Sequence, residues 1–242
     1  MILRLGGGDL NALFGIAGFA GGIGFGTIFL KKGYSLQRTY ALSKLESAMM
    51  PAIQVGLLVL VVAAPAFIFF SQKGPGAMHA PWLISLVAGL VVGGLSQVSR
   101  LCTVGGFRDL FLFKKSILIF GYLAVLIGVF VVNISFGNFH LGFENQPIAH
   151  TDGLWNFLGM ALAGFCSVLL GGCPLRQLIM TGEGNSDSAV TVLGLAAGAA
   201  FAHNFGLAAT GAGPTLNGEI AVGVGFVVAL IIAILNTKRV NA

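Results

Sequence analysis

Seven apolar runs, at about 11–30, 49–71, 82–99, 116–137, 154–172, 188–210 and 217–236, are separated only by short polar pieces. An α-helix needs about 20 apolar residues to cross a hydrocarbon core, and each run is close to that length. Inside a bilayer the backbone has to satisfy its polar groups within its own element, so such runs read as helices. The pieces between them leave no room for a soluble domain. The chain is therefore predicted to be an all-α membrane protein, a multi-helix bundle forming one integral-membrane domain over 1–242. Composition agrees: 56% of the residues are hydrophobic and 9% charged, and mean hydropathy is +0.93. A soluble domain carries about a quarter charged residues.

The net charge of +5 would point to nucleic acid in a soluble protein, but here the basic residues sit at the ends of apolar runs. Topology places them there, and nucleic-acid binding is excluded. Lys31, Lys32, Arg38 and Lys44 follow the first run, and Arg100, Arg108, Lys114 and Lys115 the third. Arg176 follows the fifth, and Lys238 and Arg239 the seventh. Glu144, Asp152 and Glu219 occupy the alternate loops, with Lys73 as an exception. With seven crossings the positive-inside rule puts the N-terminus outside and the C-terminus in the cytoplasm. If runs three and five re-enter instead of spanning, only the middle loops change side. The segment MILRLGGGDLNALFGIAG shows no small-residue cleavage pattern, so the first helix is expected to remain in the mature protein.

Glycine recurs inside the runs: Gly15, Gly18, Gly22 and Gly26 in the first, Gly89, Gly93 and Gly94 in the third, Gly159 and Gly164 in the fifth. Small residues at helical spacing let backbones approach closely where no hydrophobic effect drives association, so tight helix packing is expected at these glycines. Two segments also look alike: GLVVGGLSQVSRLCTVGGFRDL at 89–110 and GMALAGFCSVLLGGCPLRQL at 159–178. Each has a Gly-rich apolar helix, a cysteine, a Gly- or Pro-containing break and an arginine. Repeat units of about 82–137 and 154–210 follow, and GFAGGIGFGTIFLKKGYSLQR at 18–38 is a fainter copy without a cysteine. Broken helices in repeated units are a mark of transporters, because a break exposes backbone groups and helix termini at membrane depth. Pro174 lacks a backbone donor, and Gly105-Gly106 and Gly171-Gly172 adopt conformations closed to other residues.

Three cysteines with no CxxC pair and no Cys/His cluster point away from zinc, iron–sulphur clusters and a disulfide framework. Cys102 and Cys173 lie close in sequence to Arg100, Arg108 and Arg176. A guanidinium or a half-helix N-terminus favours thiolate over thiol and attracts anions, so these residues can hold or react with an anionic sulphur or selenium compound. Cys166, mid-helix with no charged neighbour, reads as a small buried hydrophobe. Arg100 and Arg176 stand within three residues of the cysteines, and a charge near the bilayer core tends to be paired or to face a water-filled path. His203 and Asn204 lie inside the sixth run, either lining a pathway or satisfying each other or a neighbouring helix. Glu183 and Asp187 read as a polar turn with Asp187 or Ser186 capping the next helix, and Asp109 as a local ion pair with Arg108. No Ser/His/Asp constellation, P-loop or HExxH motif is present, so the chain is not read as an enzyme and no cofactor or metal is predicted.

SRLCTVGGFRDL (99–110), GGCPLRQLIMTGEG (171–184) and AAFAHNFGLAATGAGPT (199–215) resemble the YeeE/YedE family of bacterial inner-membrane transporters, more narrowly its YedE-type branch linked to selenium metabolism. PAFIFFSQKGPGAMHAPWL (65–83) and HTDGLWNFLGM (150–160) extend the resemblance over nearly the whole chain. It implies short re-entrant helices whose loops meet near the middle, with cysteines lining the path of a small sulphur compound, thiosulfate in YeeE-type members. Carried onto this sequence, the path residues are Cys102 and Cys173, with Arg100, Arg108 and Arg176 alongside; Cys166 matches no family motif position. Members of this branch are typically longer and carry a further cysteine-containing half. Residues 1–10 resemble the segment that follows an earlier Cys-Pro-Leu-Arg motif, so the expectation is a fragment, split gene product or short homologue. A second chain, a second copy or a soluble sulphur or selenium carrier then enters as partner.

The reading that follows is a multi-pass permease of the bacterial inner membrane. It passes a small sulphur- or selenium-containing anion along a path bearing Cys102, Cys173, Arg100, Arg108, Arg176, Pro174, His203 and Asn204. A membrane thiol–disulfide oxidoreductase is one rival, although no close cysteine pair is visible in the sequence. An accessory membrane subunit of selenium metabolism without transport activity is the other.

Overall fold

In the computed structural model the described residues are 1–36, 43–63, 80–146 and 150–237. Arg38, Lys73, Lys238 and Arg239, and most of the 65–83 motif, lie outside them. Among the described residues the chain forms ten helices: α1 (Ile2–Gly6), α2 (Asn11–Lys31), α3 (Lys44–Ala63), α4 (Trp82–Ser99), α5 (Thr103–Phe113), α6 (Ile117–Ser135), α7 (Gly153–Leu169), α8 (Pro174–Gly182), α9 (Ser186–Asn204) and α10 (Leu216–Leu235). The only extended pairings there are isolated bridges. Among the described residues five stretches are long and apolar enough to cross a membrane: Asn11–Lys31, Trp82–Phe113, Ile117–Ser135, Gly153–Gly182 and Leu216–Leu235. The protein is an all-α membrane protein. Of the second run, residues 64–71 lie outside the described residues and the rest falls in α3, while the sixth yields α9, whose Ala, Gly, Ser and Thr content makes it less apolar than α7 and α10.

Both predicted breaks are present. α4 stops at Arg100 before the short α5, and α7 stops at Leu170 before the short α8. The second stop is local chemistry. Gly171 takes the left-handed conformation (φ 83°), Gly171 N–H donates to Val168 O, and Gly172 N–H donates to Ser167 O, which closes the end of α7. Arg100 and Lys114, which end α4 and α5, adopt the same left-handed conformation without being glycine (φ 52° and 58°).

The chain divides into two compact units, and the breaks coincide with the passages between them. The first comprises Met1–Gln37, Cys102–Cys173 and Leu195–Ala242; the second comprises Arg38–Leu101 and Pro174–Gly194.

In the first unit α2 and α7 form the largest helix–helix contact. A Cβ on Gly18 would sit 2.1 Å from Phe157 O, one on Gly22 1.9 Å from Ala161 O, and one on Gly164 2.4 Å from Phe19 O. Backbone therefore meets backbone, and the rising register shows that the two helices run in the same direction. Gly26 continues the seam against Val168 and Phe165, and beside it the Phe25 ring packs edge-to-face on Phe29 and Phe165, with Phe29 and Phe165 tilted against each other. α10 packs on α7 through Ala229 and Ala233, around a core with Phe165, Leu169 and Tyr34. The Tyr34 hydroxyl donates to Leu169 O at 3.4 Å. Burial pushes this phenol above its ordinary pKa, with nearby Cys166 adding to the effect. A bridge between Tyr34 and Thr237 ties the end of α2 to the end of α10.

A polar knot that the sequence reading missed holds the start of α2. Arg4 Nε donates to Asp9 Oδ2 at 2.6 Å, and Asp9 Oδ1 accepts the Asn11 N–H at 2.9 Å. Asp9 and Asn11 are both buried. Asn11 Nδ2 donates to Phe143 O, while His140 N–H and Gly142 N–H donate to Gly7 O and Gly8 O. The loop after α6 is thereby stitched to the glycine run.

The second unit contains α3, α4, α8 and the start of α9, with α8 contacting both α3 and α4. Asn185, rather than Asp187 or Ser186, caps α9: its Oδ1 accepts the Ser188 N–H at 2.9 Å. Asparagine stands one place before the first helical residue, where its side chain reaches the third N–H of the helix.

The glycines divide into two groups. Gly15, Gly18, Gly22, Gly26 and Gly164 make close approaches as expected, whereas at Gly89, Gly93, Gly94 and Gly159 a Cβ would meet nothing within 4 Å among the described residues. Gly22→Ala is predicted to destabilise the protein by about 1–3 kcal/mol, because the added methyl meets a carbonyl that cannot yield without moving α7. Gly93→Ala is predicted to be neutral within about 0.5 kcal/mol. Thermal unfolding of both variants in one detergent compares them. Lys114→Gly should stabilise by about 0.5–1 kcal/mol in the same assay, since the left-handed conformation costs a side chain about 1–2 kcal/mol and glycine almost nothing.

Candidate functional site

Cys102 and Cys173 owe their positions to the two helix breaks. Cys102 is the N-cap of α5, in extended conformation (φ −149°, ψ 118°), and its Sγ accepts the Gly105 N–H at 3.3 Å. Its carbonyl accepts the Gly106 N–H at 2.9 Å, so both its polar ends serve the first turn of the helix. Gly105 and Gly106 are buried against Leu118 and Ile119 at the start of α6, where a larger residue would push the two helices apart. Cys173 follows the Gly171-Gly172 stop and directly precedes Pro174, the first residue of α8. Proline suits that place, because the first helical N–H has no partner inside the helix. Cys173 is buried, at 3% exposure.

The two thiols meet. The Cys102 sulphur is hydrogen-bonded with the Cys173 side chain and takes the Cys173 backbone N–H, in addition to that of Gly105. The Tyr122 phenol, from α6, lies within electrostatic range of both sulphurs. All three cysteines are thiols, and none is joined in a disulfide. The close cysteine pair that sequence spacing did not reveal is therefore present in the fold, within the first unit. Sequence reasoning also missed Tyr122: it sits in an apolar run, ILIFGYLAVLIG, where only its hydroxyl distinguishes it from the surrounding residues. Chemically the arrangement offers two soft, polarisable S–H groups, one buried and one half-buried, and a half-buried phenol, with the Cys102 sulphur positioned by backbone N–H groups. Such a set can replace part of the hydration of a small anion through fixed donors.

The arginines have partners of their own. Arg108 pairs with Asp109 through Nε at 3.0 Å and NH2 at 2.9 Å, as their adjacency implied. Arg100 ends α4 with an exposed side chain. In the second unit Arg176 NH1 donates to Gln97 Oε1 at 2.7 Å, and NH2 stands 3.9 Å from Glu183 Oε2. Gln97 Nε2 donates in turn to Glu183 Oε1. Glu183 thus belongs to a ring with Gln97 and Arg176 instead of forming only a turn. His203 and Asn204 are the exposed last residues of α9, and the Asn204 amide donates to Ala200 O of its own helix. Cys166 packs beside the core of Phe165 and Leu169, in keeping with its reading as a small hydrophobe.

Comparison with known proteins follows the same residues. The family profile described as sulphur transport matches residues 98–238, more than half of the chain and both cysteine breaks. A segment of 111 residues is 30% identical to the thiosulfate transporter TsuA of Escherichia coli (strain K12), covering 44% of this chain and 30% of that transporter. The chain therefore matches less than a third of the length of this relative. No solved structure matches it. With its apolar helices and the profile spanning both broken-helix segments, the chain belongs to the sulphur-transport family, the YeeE/YedE family that its cysteine motifs resemble.

Proposed function

We propose that this chain forms part of an inner-membrane path for a small sulphur-containing anion of the thiosulfate class, and that Cys102 and Cys173 are a way-station on it. The observation that carries this reading is the meeting of the two thiols at the two helix breaks, from segments 71 positions apart in sequence. Family membership and the likeness to a thiosulfate transporter support the substrate class.

An anion leaving water loses its hydration, and the loss is tolerable only where fixed donors replace it. At this site the donors offered to the anion are the thiol hydrogens and the Tyr122 hydroxyl, while the Gly105 and Cys173 N–H groups hold the Cys102 sulphur in place. A thiol is a weak donor, so it holds an anion without trapping it, as a site that must also release its cargo requires. Arg100, Arg108 and Arg176 raise the local anion concentration around the path, Pro174 keeps Cys173 at a helix start, and His203 and Asn204 line a more distant stretch.

In the first unit α2, α7 and α10 run in the same direction, which agrees with an even number of crossings between their equivalent ends. Together with the basic loops this supports an outside N-terminus and a cytoplasmic C-terminus. The two cysteine-bearing segments act as repeats of one transport domain. A second copy or a companion polypeptide completing the path, a soluble carrier receiving the sulphur or selenium, and a role in selenium metabolism belong to the same proposal.

The nearness of the thiols also favours a second reading, a thiol–disulfide oxidoreductase. Joining Cys102 and Cys173 releases two protons and two electrons, which a quinone or a partner disulfide would have to accept.

Uptake of labelled thiosulfate, sulfate and selenium oxyanions into proteoliposomes separates these readings. Losing a hydrogen bond to a charged group costs about 1.5–3 kcal/mol. Cys102→Ala and Cys173→Ala are therefore each predicted to slow thiosulfate uptake about 10-fold or more at equal protein content. Unchanged uptake in both variants removes the cysteines from the path. A Cys102–Cys173 disulfide that cycles in native membranes while no anion crosses supports the oxidoreductase.

A further inference from the structure

The ring of Gln97, Arg176 and Glu183 is explained neither by the apolar packing nor by the cysteine pair. Its three side chains come from the last turn of α4, the first turn of α8 and the residue just after α8. Arg176 NH1 donates to Gln97 Oε1, Gln97 Nε2 donates to Glu183 Oε1, and the Glu183 carboxylate stands 3.9 Å from Arg176 NH2. The amide is thus inserted between the two charges. It accepts from the cation with one end and donates to the anion with the other, so guanidinium and carboxylate attract each other without the bidentate fork that makes such pairs strong. The Arg176 side chain is 20% exposed and that of Glu183 43% exposed. A water-accessible, single-oxygen ion pair of this length is weak. Its carboxylate can turn away into solvent, which leaves Arg176 and the Gln97 amide in place.

We infer that Glu183 is a tethered competitor for Arg176, and that Gln97 and Glu183 set which anions this arginine accepts. The inference rests on the proposed anion path. A carboxylate held by its own chain is present at high effective concentration beside the guanidinium, so an incoming anion binds only if it outcompetes it. A divalent oxyanion with several oxygens engages two N–H groups of the guanidinium at once, which Glu183 does not do here, and displaces it. A halide offers one spherical charge and loses the competition. Selectivity comes from the repelled competitor as much as from the attracting cation.

The test uses the full chain in two assays, one reading binding and one reading flux. Binding is the sulfate- and thiosulfate-dependent rise in melting temperature of the purified protein in detergent, titrated with and without chloride. Flux is thiosulfate uptake in proteoliposomes, analysed as KM and kcat. In Glu183→Gln the half-saturating thiosulfate and sulfate concentrations and KM should fall about 3- to 10-fold, with chloride becoming an effective competitor. Glu183→Asp, whose shorter carboxylate falls short of the ring, should move in the same direction and serves if Glu183→Gln misfolds. Arg176→Gln should raise the half-saturating concentration at least 10-fold, and adding Glu183→Gln to it should change nothing further. Unchanged or higher half-saturation in both Glu183 variants overturns the inference, as does an equal effect of Glu183→Gln with and without Arg176. If wild-type protein moves no thiosulfate but the binding shifts follow this pattern, the competitor stands and the transport reading fails. If flux is normal and the binding shifts are absent, the reverse holds.

Discussion

The contact on which the first unit depends is the meeting of α2 and α7 backbone to backbone. In a bilayer lipid tails are as apolar as leucine, so helices gain little from burying hydrophobic side chains against each other. Association depends instead on how closely the two surfaces approach. Gly18 and Gly22 admit the carbonyls of Phe157 and Ala161, and Gly164 admits that of Phe19, at distances where any Cβ would collide. That seam aligns α7 with α2, seats Phe165 among the Phe25 and Phe29 rings, and leaves α10 to close on α7 through Ala229 and Ala233.

The cysteine pair is a product of stopping helices at chosen places. Gly171 ends α7 by taking a conformation that side chains resist, and the chain reaches Cys173 within two residues. Cys102 caps α5, and Gly105 and Gly106 allow the start of α6 to lie against that helix. Neither thiol would reach the other if its helix continued through the break. The breaks also mark the passages between the two compact units, so a change in one helix end bears on the local cysteine geometry and on the chain path together.

Much of this was legible in the residues. Runs of apolar length, the Gly-Gly and Cys-Pro breaks and the Arg108–Asp109 pair depend on neighbours a few positions away, and the fold preserves them. Other features were not legible. Gly89 and Gly93 have the same spacing as Gly18 and Gly22, yet nothing described lies within 4 Å of where their Cβ atoms would stand, because spacing states only that a helix has a smooth face and not what meets it. Asn185 takes the capping role from Asp187 and Ser186 through a one-residue difference in where α9 begins. Arg4, Asp9 and Asn11 pass for a polar start to the chain until the loop near Gly142 is seen to close on them.

The sequence by itself determined that the chain is a helical membrane protein with two cysteine-bearing breaks, since hydropathy, helix length and helix-stopping chemistry act within a single segment. Tertiary structure alone decided that Cys102 and Cys173 touch, that Tyr122 lies within electrostatic range of both, and that Arg176 is engaged by Gln97 and Glu183. These juxtapositions bring together residues tens of positions apart. Which distant groups meet depends on how closely particular helix faces pack, and that is a property of pairs of surfaces which no single segment contains.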